Sequence, residues 1–504
     1  MNGDLNQELI DTSTWDDTIV QRAGIPIVDV PLVSVGGGIG SFVLVDHLRI
    51  AGVPASHIRV LTNLDNAWDT YEYLTRVSQI PRPERLRSDS SGMPDNLWGF
   101  PSYALREARR EKDLAPVLAV LGEGATNDYW TPRAGTVFEG LAHEAQRIGW
   151  NSMVDRGQVR MVRRRHGGGY FTILTPPEGT TATKRIAYRS LHVHIAVGYP
   201  GLRFLPDLQA YRTRYNDPTR VVNAYEPHEF VYEMLKRRPA TVLIRGGGIV
   251  ASRVIQRLMD DREQFGAQTQ ISHLLRTYIS GPNATYGRAR RSGGDGVAYQ
   301  GFNWPKGAWG GALKVAIETK EGADRAAIYK QLGGTHTPKR KSWKEQIARA
   351  KSQGWYATHQ GEVTSVEPTA DEKLRTNIQR ANGERTYLDA DVIIDCTGLE
   401  ADLREHRVLA DLLDHSGAGR NPMNRLEVSP AFEIRGTNSG GGKLYASGAT
   451  TLGGYYAGVD SFLGLQYAAL QIVDDLSTTG FCQKIGVGRS ISQWWKWMRK
   501  QPLP

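Results

Sequence analysis

Two short glycine clusters are the residues whose types and spacing best suit chemistry. Gly36, Gly38 and Ser41 stand at the three small-residue positions of a GxGxxG-type turn, with Gly40 inside the same run. Gly246, Gly248 and Ala251 repeat the pattern in the second half of the chain. In such a turn the first glycine permits the tight bend, and the second lets a pyrophosphate approach the backbone. The third small residue lets helix and strand pack closely. The following helix offers its free N–H groups and the positive end of its dipole to phosphate. One such turn is weak evidence. Two in the same context predict two bound dinucleotides and a transfer between them.

The elements that must position these residues are legible on either side. Leu32 to Val35 and Val242 to Arg245 read as short buried strands. Helical periods follow, through Ile50 in one case and through Val254, Ile255 and Leu258 in the other. His57–Leu61 and Thr269–Leu275 read as the next strands. The residue after such a strand reads the ribose: an acid suits the hydroxyls of FAD or NAD, and an arginine suits the 2′-phosphate of NADP. Arg276 occupies that place in the second unit and favours NADPH over NADH. In the first unit the place falls to Thr62 or Asn63, which can hydrogen-bond a ribose without carrying charge.

A second layer of repetition follows each unit. A helix, a strand, a turn and another strand lead to a strand that ends in a glycine turn. The turns are Val197-Gly198-Tyr199-Pro200 in the first half and Cys396-Thr397-Gly398 in the second. The expected fold class is therefore α/β, with two Rossmann-like dinucleotide-binding domains, each carrying an antiparallel β-hairpin insertion.

In the order of these motifs the chain resembles flavoproteins with two dinucleotide-binding domains, particularly flavin-containing and N-hydroxylating monooxygenases. The resemblance spans about residues 30 to 475. It implies a discontinuous FAD domain (residues 28–208 and 400–476), an NAD(P)H domain (225–399) and a basic, tryptophan-rich tail (477–504). Gly198 looks like the turn that closes the FAD domain, and Gly398 like its counterpart in the NAD(P)H domain. The segment from Gly442 looks like the last FAD element, with Gly448 and Ala449 where the strand meets the final helix. Ala449 stands where the family carries an aspartate, and Asp460 is the nearest acid that could take its place. Trp98, in the insertion after the first unit, could wall a flavin. The implied activity is a monooxygenase-like oxidoreductase: NADPH or NADH reduces FAD, which passes electrons to oxygen or another acceptor. The missing acids near Thr62 and at Ala449 keep a second reading open, a degenerate flavoprotein fold serving as a nucleotide sensor or assembly scaffold. No side chain is singled out as catalytic.

Composition narrows the alternatives. The chain has 504 residues, a net charge of +9 and two cysteines, Cys396 and Cys482. Two distant cysteines leave no CxxC redox pair and no thiolate metal cluster, and fit a reducing compartment, so the cytoplasm is expected. The charge is scattered without a nucleic-acid motif, so the expected partner is a small-molecule substrate and no specific nucleic acid. The C-terminal SISQWWKWMRK suits a membrane surface, a protein partner or packing on its own domain. A homo-oligomer is left open. His194, inside a strand, reads as a satisfied core histidine. Gly440 to Leu444 lacks the spacing and the hydroxyl of a phosphate loop.

Overall fold

The computed structural model describes residues 3–86, 100–122, 130–180, 183–281, 283–286, 289–299, 311–332, 341–400 and 402–503. Two five-stranded, all-parallel sheets dominate it. The first runs in the order Leu444–Ala446, His192–Ile195, Leu32–Val35, Ile58–Thr62, Val154–Arg156. The second runs Val221–Asn223, Val392–Asp395, Ala240–Arg245, Thr269–Leu275, Tyr356–Gln360. In both, the strand before the glycine turn lies at the centre. The chain steps outward to one side and returns later on the other, which makes the crevice at the carboxyl ends where such sheets bind ligands.

Burial explains the placement. Leu32, Val33 and Ser34 of the first central strand are fully buried, as are Val242, Leu243 and Ile244 of the second. Parallel strands covered on both faces read as continuous apolar runs rather than alternations. Phe42, Val43, Val45 and Leu48 of the helix Ile39–Ile50 cover one sheet, and Val254, Ile255 and Met259 of the helix Ile249–Phe265 cover the other. Each such side chain contributes about 1.5–3 kcal/mol when removed from water.

Each expected hairpin is extended by a third antiparallel strand. Gln158–Arg165, Tyr170–Thr175 and Ile186–Ser190 form one meander; Glu362–Pro368, Leu374–Gln379 and Arg385–Ala390 form the other. The first meander also takes Thr14–Trp15 and Ile27–Asp29 onto its edges, so the N-terminal residues join this sheet ahead of position 28. Trp15 anchors them, fully buried, its indole donating to the Leu9 and Thr12 carbonyls at 3.2 and 3.0 Å.

The tail is part of the first domain's body. Its helix, Val487–Met498, buries Gln493 and Trp497. Arg147, 4% exposed, reaches Gln493 at 3.4 Å, pairs with Glu144 and lies 3.8 Å from Asp46. Lys443, in the glycine run at 440–444, is paired with Asp475 at 2.7 Å and serves as a structural ion pair. No helix among the described residues is long and apolar enough to cross a membrane.

Candidate functional site: two glycine cradles

The first cradle is held from three directions. Gly36 has φ +118°, and a Cβ there would stand 2.3 Å from the Ala196 carbonyl oxygen, so only glycine brings the central strand's end this close to that of its neighbour His192–Ile195. Gly37 donates its N–H to the Ser41 hydroxyl at 3.1 Å. Thr62 donates to the Gly36 carbonyl at 3.0 Å and accepts from the Leu64 N–H at 3.0 Å. The Thr62 side chain is therefore spent on the turn itself. Asn63, exposed, follows it, and Asp65 pairs with Arg156 at 3.2 Å.

At Gly38, the N-cap of the helix Ile39–Ile50, the surroundings open. A Cβ there would meet nothing within 4 Å. Glycine has no side chain to cap the first turn, so the helix N-terminus can accept an external anion. Gly40 faces the ends of the strands His192–Ile195 and Leu444–Ala446: its Cβ would lie 3.1 Å from Ala196 Cβ and 3.4 Å from Ser447 Oγ.

The second cradle repeats the first with different chemistry. Gly246 has φ +120°, and its Cβ would stand 2.6 Å from the Cys396 carbonyl oxygen. The Gly246 carbonyl is held by His273 Nε2 at 2.6 Å, and His273 Nδ1 meets the Tyr356 hydroxyl at 2.8 Å. A carbonyl only accepts, so Nε2 carries the proton and Nδ1 accepts from Tyr356. Burial pushes the His273 pKa down to about 4, which keeps this neutral tautomer. Gly248 caps the helix Ile249–Phe265, and Ala251, buried, packs that helix on its sheet. Arg276, exposed, stands immediately past the strand Thr269–Leu275.

Gly198 and Gly398 close the returning strands, with φ +69° and +122°, and a methyl added at either would meet no atom within 4 Å. Asp395 anchors the second of these turns, accepting from the Thr397 hydroxyl at 2.6 Å and the Leu205 N–H at 3.2 Å. Gly448 has φ +83°, and Ala449, buried, opens the short turn Ala449–Thr451. No carboxylate belongs to that turn. Asp460 lies further along, exposed, accepting from the Tyr199 hydroxyl at 2.6 Å. Tyr199 thus ties the Gly198 turn to the approach of the helix Phe462–Thr478. Trp98 lies outside the described residues.

Beneath the cradle, His194 spans three strands. Its Nδ1 meets Ser34 Oγ at 3.0 Å and its Nε2 meets Ser447 Oγ at 2.9 Å. Burial drives its pKa to about 3, so it is a neutral brace rather than a proton carrier. Burial likewise pushes the Cys396 thiol well above its ordinary value and Cys482 up to about 11, so neither is a thiolate at neutral pH.

Residues of the second half also pack on the stretch that follows Gly448. The helices Ala312–Thr319 and Gly322–Leu332 pack on residues 449–467. Tyr329 donates to the carbonyls of Gly454 and Tyr456 at 2.9 and 2.7 Å, and Tyr455 donates to Glu321 at 2.7 Å. Tyr467 donates to Glu318 at 3.1 Å and stacks on Tyr456 with centroids 4.4 Å apart. Tyr455 and Tyr456 lie in the stretch that the sequence ties to the final FAD element, and Tyr199 in the turn that closes the first unit; His273, Tyr329, Tyr467 and the two glutamates were not legible as site residues, because their partners lie far off in sequence.

No model of a protein family matches the sequence, and no curated protein matches it. Solved structures do. An ornithine hydroxylase from Pseudomonas aeruginosa superposes with a TM-score of 0.59 at 17% identity, over 90% of this chain and 99% of that one. The chain has the fold of the N-hydroxylating flavin monooxygenases. An L-lysine 6-monooxygenase from Pseudomonas syringae gives 0.63 at 14% identity, over 89% and 99%. The FAD-bound cadaverine monooxygenase of desferrioxamine biosynthesis from Erwinia amylovora gives 0.66 at 11% identity, over 91% and 96%. These superpositions take in about nine-tenths of this chain and nearly all of each of the others, so the shared fold extends through both halves.

Proposed function

We propose that the protein is an FAD- and NADPH-dependent oxidoreductase acting as a monooxygenase on a small molecule. The observation that carries this reading is the pair of glycine cradles. Each is built at the carboxyl end of a central parallel strand, and the first opens at Gly38 onto space that a Cβ would not fill. The residues present fit the two cofactors. The N-terminus of Ile39–Ile50 would take the FAD pyrophosphate, with Ser41 and Thr62 fixing the turn beneath it. The N-terminus of Ile249–Phe265 would take that of NADPH, with His273 fixing its turn and Arg276 facing the 2′-phosphate. Bound there, the nicotinamide and the flavin would supply hydride transfer and oxygen activation. The protein's part is to hold and orient them and, through the helices at 312–332, to cover the side from which a substrate would approach.

Amines are the first substrate class to test, since ornithine, lysine and cadaverine appear in the names of the structures sharing this fold. The protein is placed in the cytoplasm on its cysteine usage. The competing reading, a nucleotide sensor on the same fold, is favoured by one observation: Thr62 is already engaged and Ala449 brings no carboxylate, so the first cradle has few polar contacts for a ribityl or ribose group.

One experiment separates the two. Purified protein, supplemented with FAD, is examined in the visible range and then given NADPH or NADH without oxygen. Bands near about 370 and 450 nm that bleach faster with NADPH support the oxidoreductase. A colourless protein that takes up no FAD sinks it and leaves the sensor.

A further inference from the structure

The tail helix Val487–Met498 has two opposed faces. On the inner face Trp497 is buried against Tyr103, with ring centroids 6.2 Å apart, and Trp494 donates its indole N–H to Ser102 at 2.8 Å. On the outer face Val487, Ile491 and Trp495 recur every fourth residue and are 77%, 42% and 51% exposed. Helical spacing puts all three in one stripe. The helix Phe100–Glu111 joins the tail to the helix Ala115–Leu121, whose Leu118 and Leu121 are exposed as well.

The tail itself carries charge of one sign. From residue 476 onward the chain has five cations and no acid. Arg489 donates to the Ile50 carbonyl, and Lys484 lies 3.8 Å from Asp474. Lys496, Arg499 and Lys500 make no ion pair among the described residues, and the first two line a shallow cavity with Trp495. An apolar ridge that ends in a tryptophan, with unpaired cations at the same C-terminal end, matches a surface that is apolar below and anionic above. A protein groove would have to be shaped to this convex ridge; a bilayer yields to it.

We propose that this face docks the protein reversibly on an anionic lipid bilayer, with Val487, Ile491 and Trp495 entering the headgroup boundary and Lys496, Arg499 and Lys500 meeting lipid phosphates. The docking stands apart from the nucleotide cradles and does not depend on their chemistry.

The test uses the full chain and vesicle flotation. Vesicles of equal parts phosphatidylglycerol and phosphatidylcholine are compared with phosphatidylcholine alone. Two double variants accompany the wild type, Ile491→Ser with Trp495→Ser and Lys496→Glu with Arg499→Glu; far-ultraviolet circular dichroism verifies that both fold. The wild type should float with the anionic vesicles and not with the neutral ones. Reversing two interfacial cations should lower partitioning by more than the roughly thirty-fold that their removal alone would cost, and the apolar variant should lose flotation as well. Equal flotation by all three proteins, or none by the wild type, overturns the proposal. So does self-association of the wild type that the Ser variant abolishes while neither floats, because the face is then an interface between copies.

Discussion

Single residues carry the sharpest expectations. Gly38 has φ −78° and free space around it, so Gly38→Ala is tolerated by the backbone and costs no more than about 1 kcal/mol at this N-cap. The added methyl would occupy the phosphate approach. The variant should unfold near the wild-type temperature yet retain little FAD, read as the visible flavin absorbance per protein. Gly36→Ala is the opposite case. Its methyl would collide with the Ala196 carbonyl at φ +118°, so it should lose soluble folded protein, not merely cofactor. Arg276→Ala should raise the KM for NADPH about ten- to hundred-fold and leave that for NADH nearly unchanged, because a charge-assisted phosphate contact is absent from NADH. Unchanged NADPH kinetics would remove Arg276 from the site.

At the scale of elements, the tail is held by a buried ionic knot. Arg147 pairs with Glu144, approaches Asp46 and bonds Gln493 of the tail helix, while its carbonyl accepts from the Leu503 N–H at 2.9 Å. Arg147→Ala would leave buried carboxylates without their cation, and a loss of about 3–5 kcal/mol is expected in urea denaturation. The glycine units were legible because their signals are local: an apolar run, small residues and a helical period lie within about twenty residues. The strand Leu32–Val35 and the end of Thr269–Leu275 at Arg276 fall where the pattern places them. The third strand of each meander was not legible. Ile186–Ser190 is only five residues long and runs into the next strand across Leu191 alone, with no Gly or Pro to mark the boundary. The role of Thr62 was half legible: its position at the strand end was plain. That its hydroxyl turns back onto Gly36 depends on a partner 26 residues away and on the twist of the sheet.

For the whole molecule, the two halves are joined by more than sequence. Arg253, buried in the second glycine helix, pairs with Glu84 of the first half, and Arg257 donates to Gln79 at 3.0 Å. The helices at 312–332 fasten the other side through Tyr329 and Tyr455. Stability against acid is shared in the same way. Burial holds His47, His192 and His273 near a pKa of about 4 and His194 near about 3. Each is neutral when folded and takes a proton once unfolded below its ordinary value. Stability is therefore fully present above about pH 6.5 and is lost as pH falls toward 4, at up to about 1.4 kcal/mol per pH unit for each group. Urea midpoints measured between about pH 7 and pH 5 should fall accordingly; a flat profile would mean that these histidines are not buried neutral.

The first sheet has a further consequence, one of timing. Its edge strand Leu444–Ala446 pairs with His192–Ile195, and Ser447 closes on both Gly40 and His194. On a ribosome, residues 32–195 emerge long before the piece that completes their sheet. The second glycine unit and its own sheet, residues 221–395, are whole by then. The nucleotide cradle encoded first is thus the last to be finished. Until some 440 residues have been made, the strand His192–Ile195 is an unpaired apolar edge, the kind of surface through which unfinished domains aggregate.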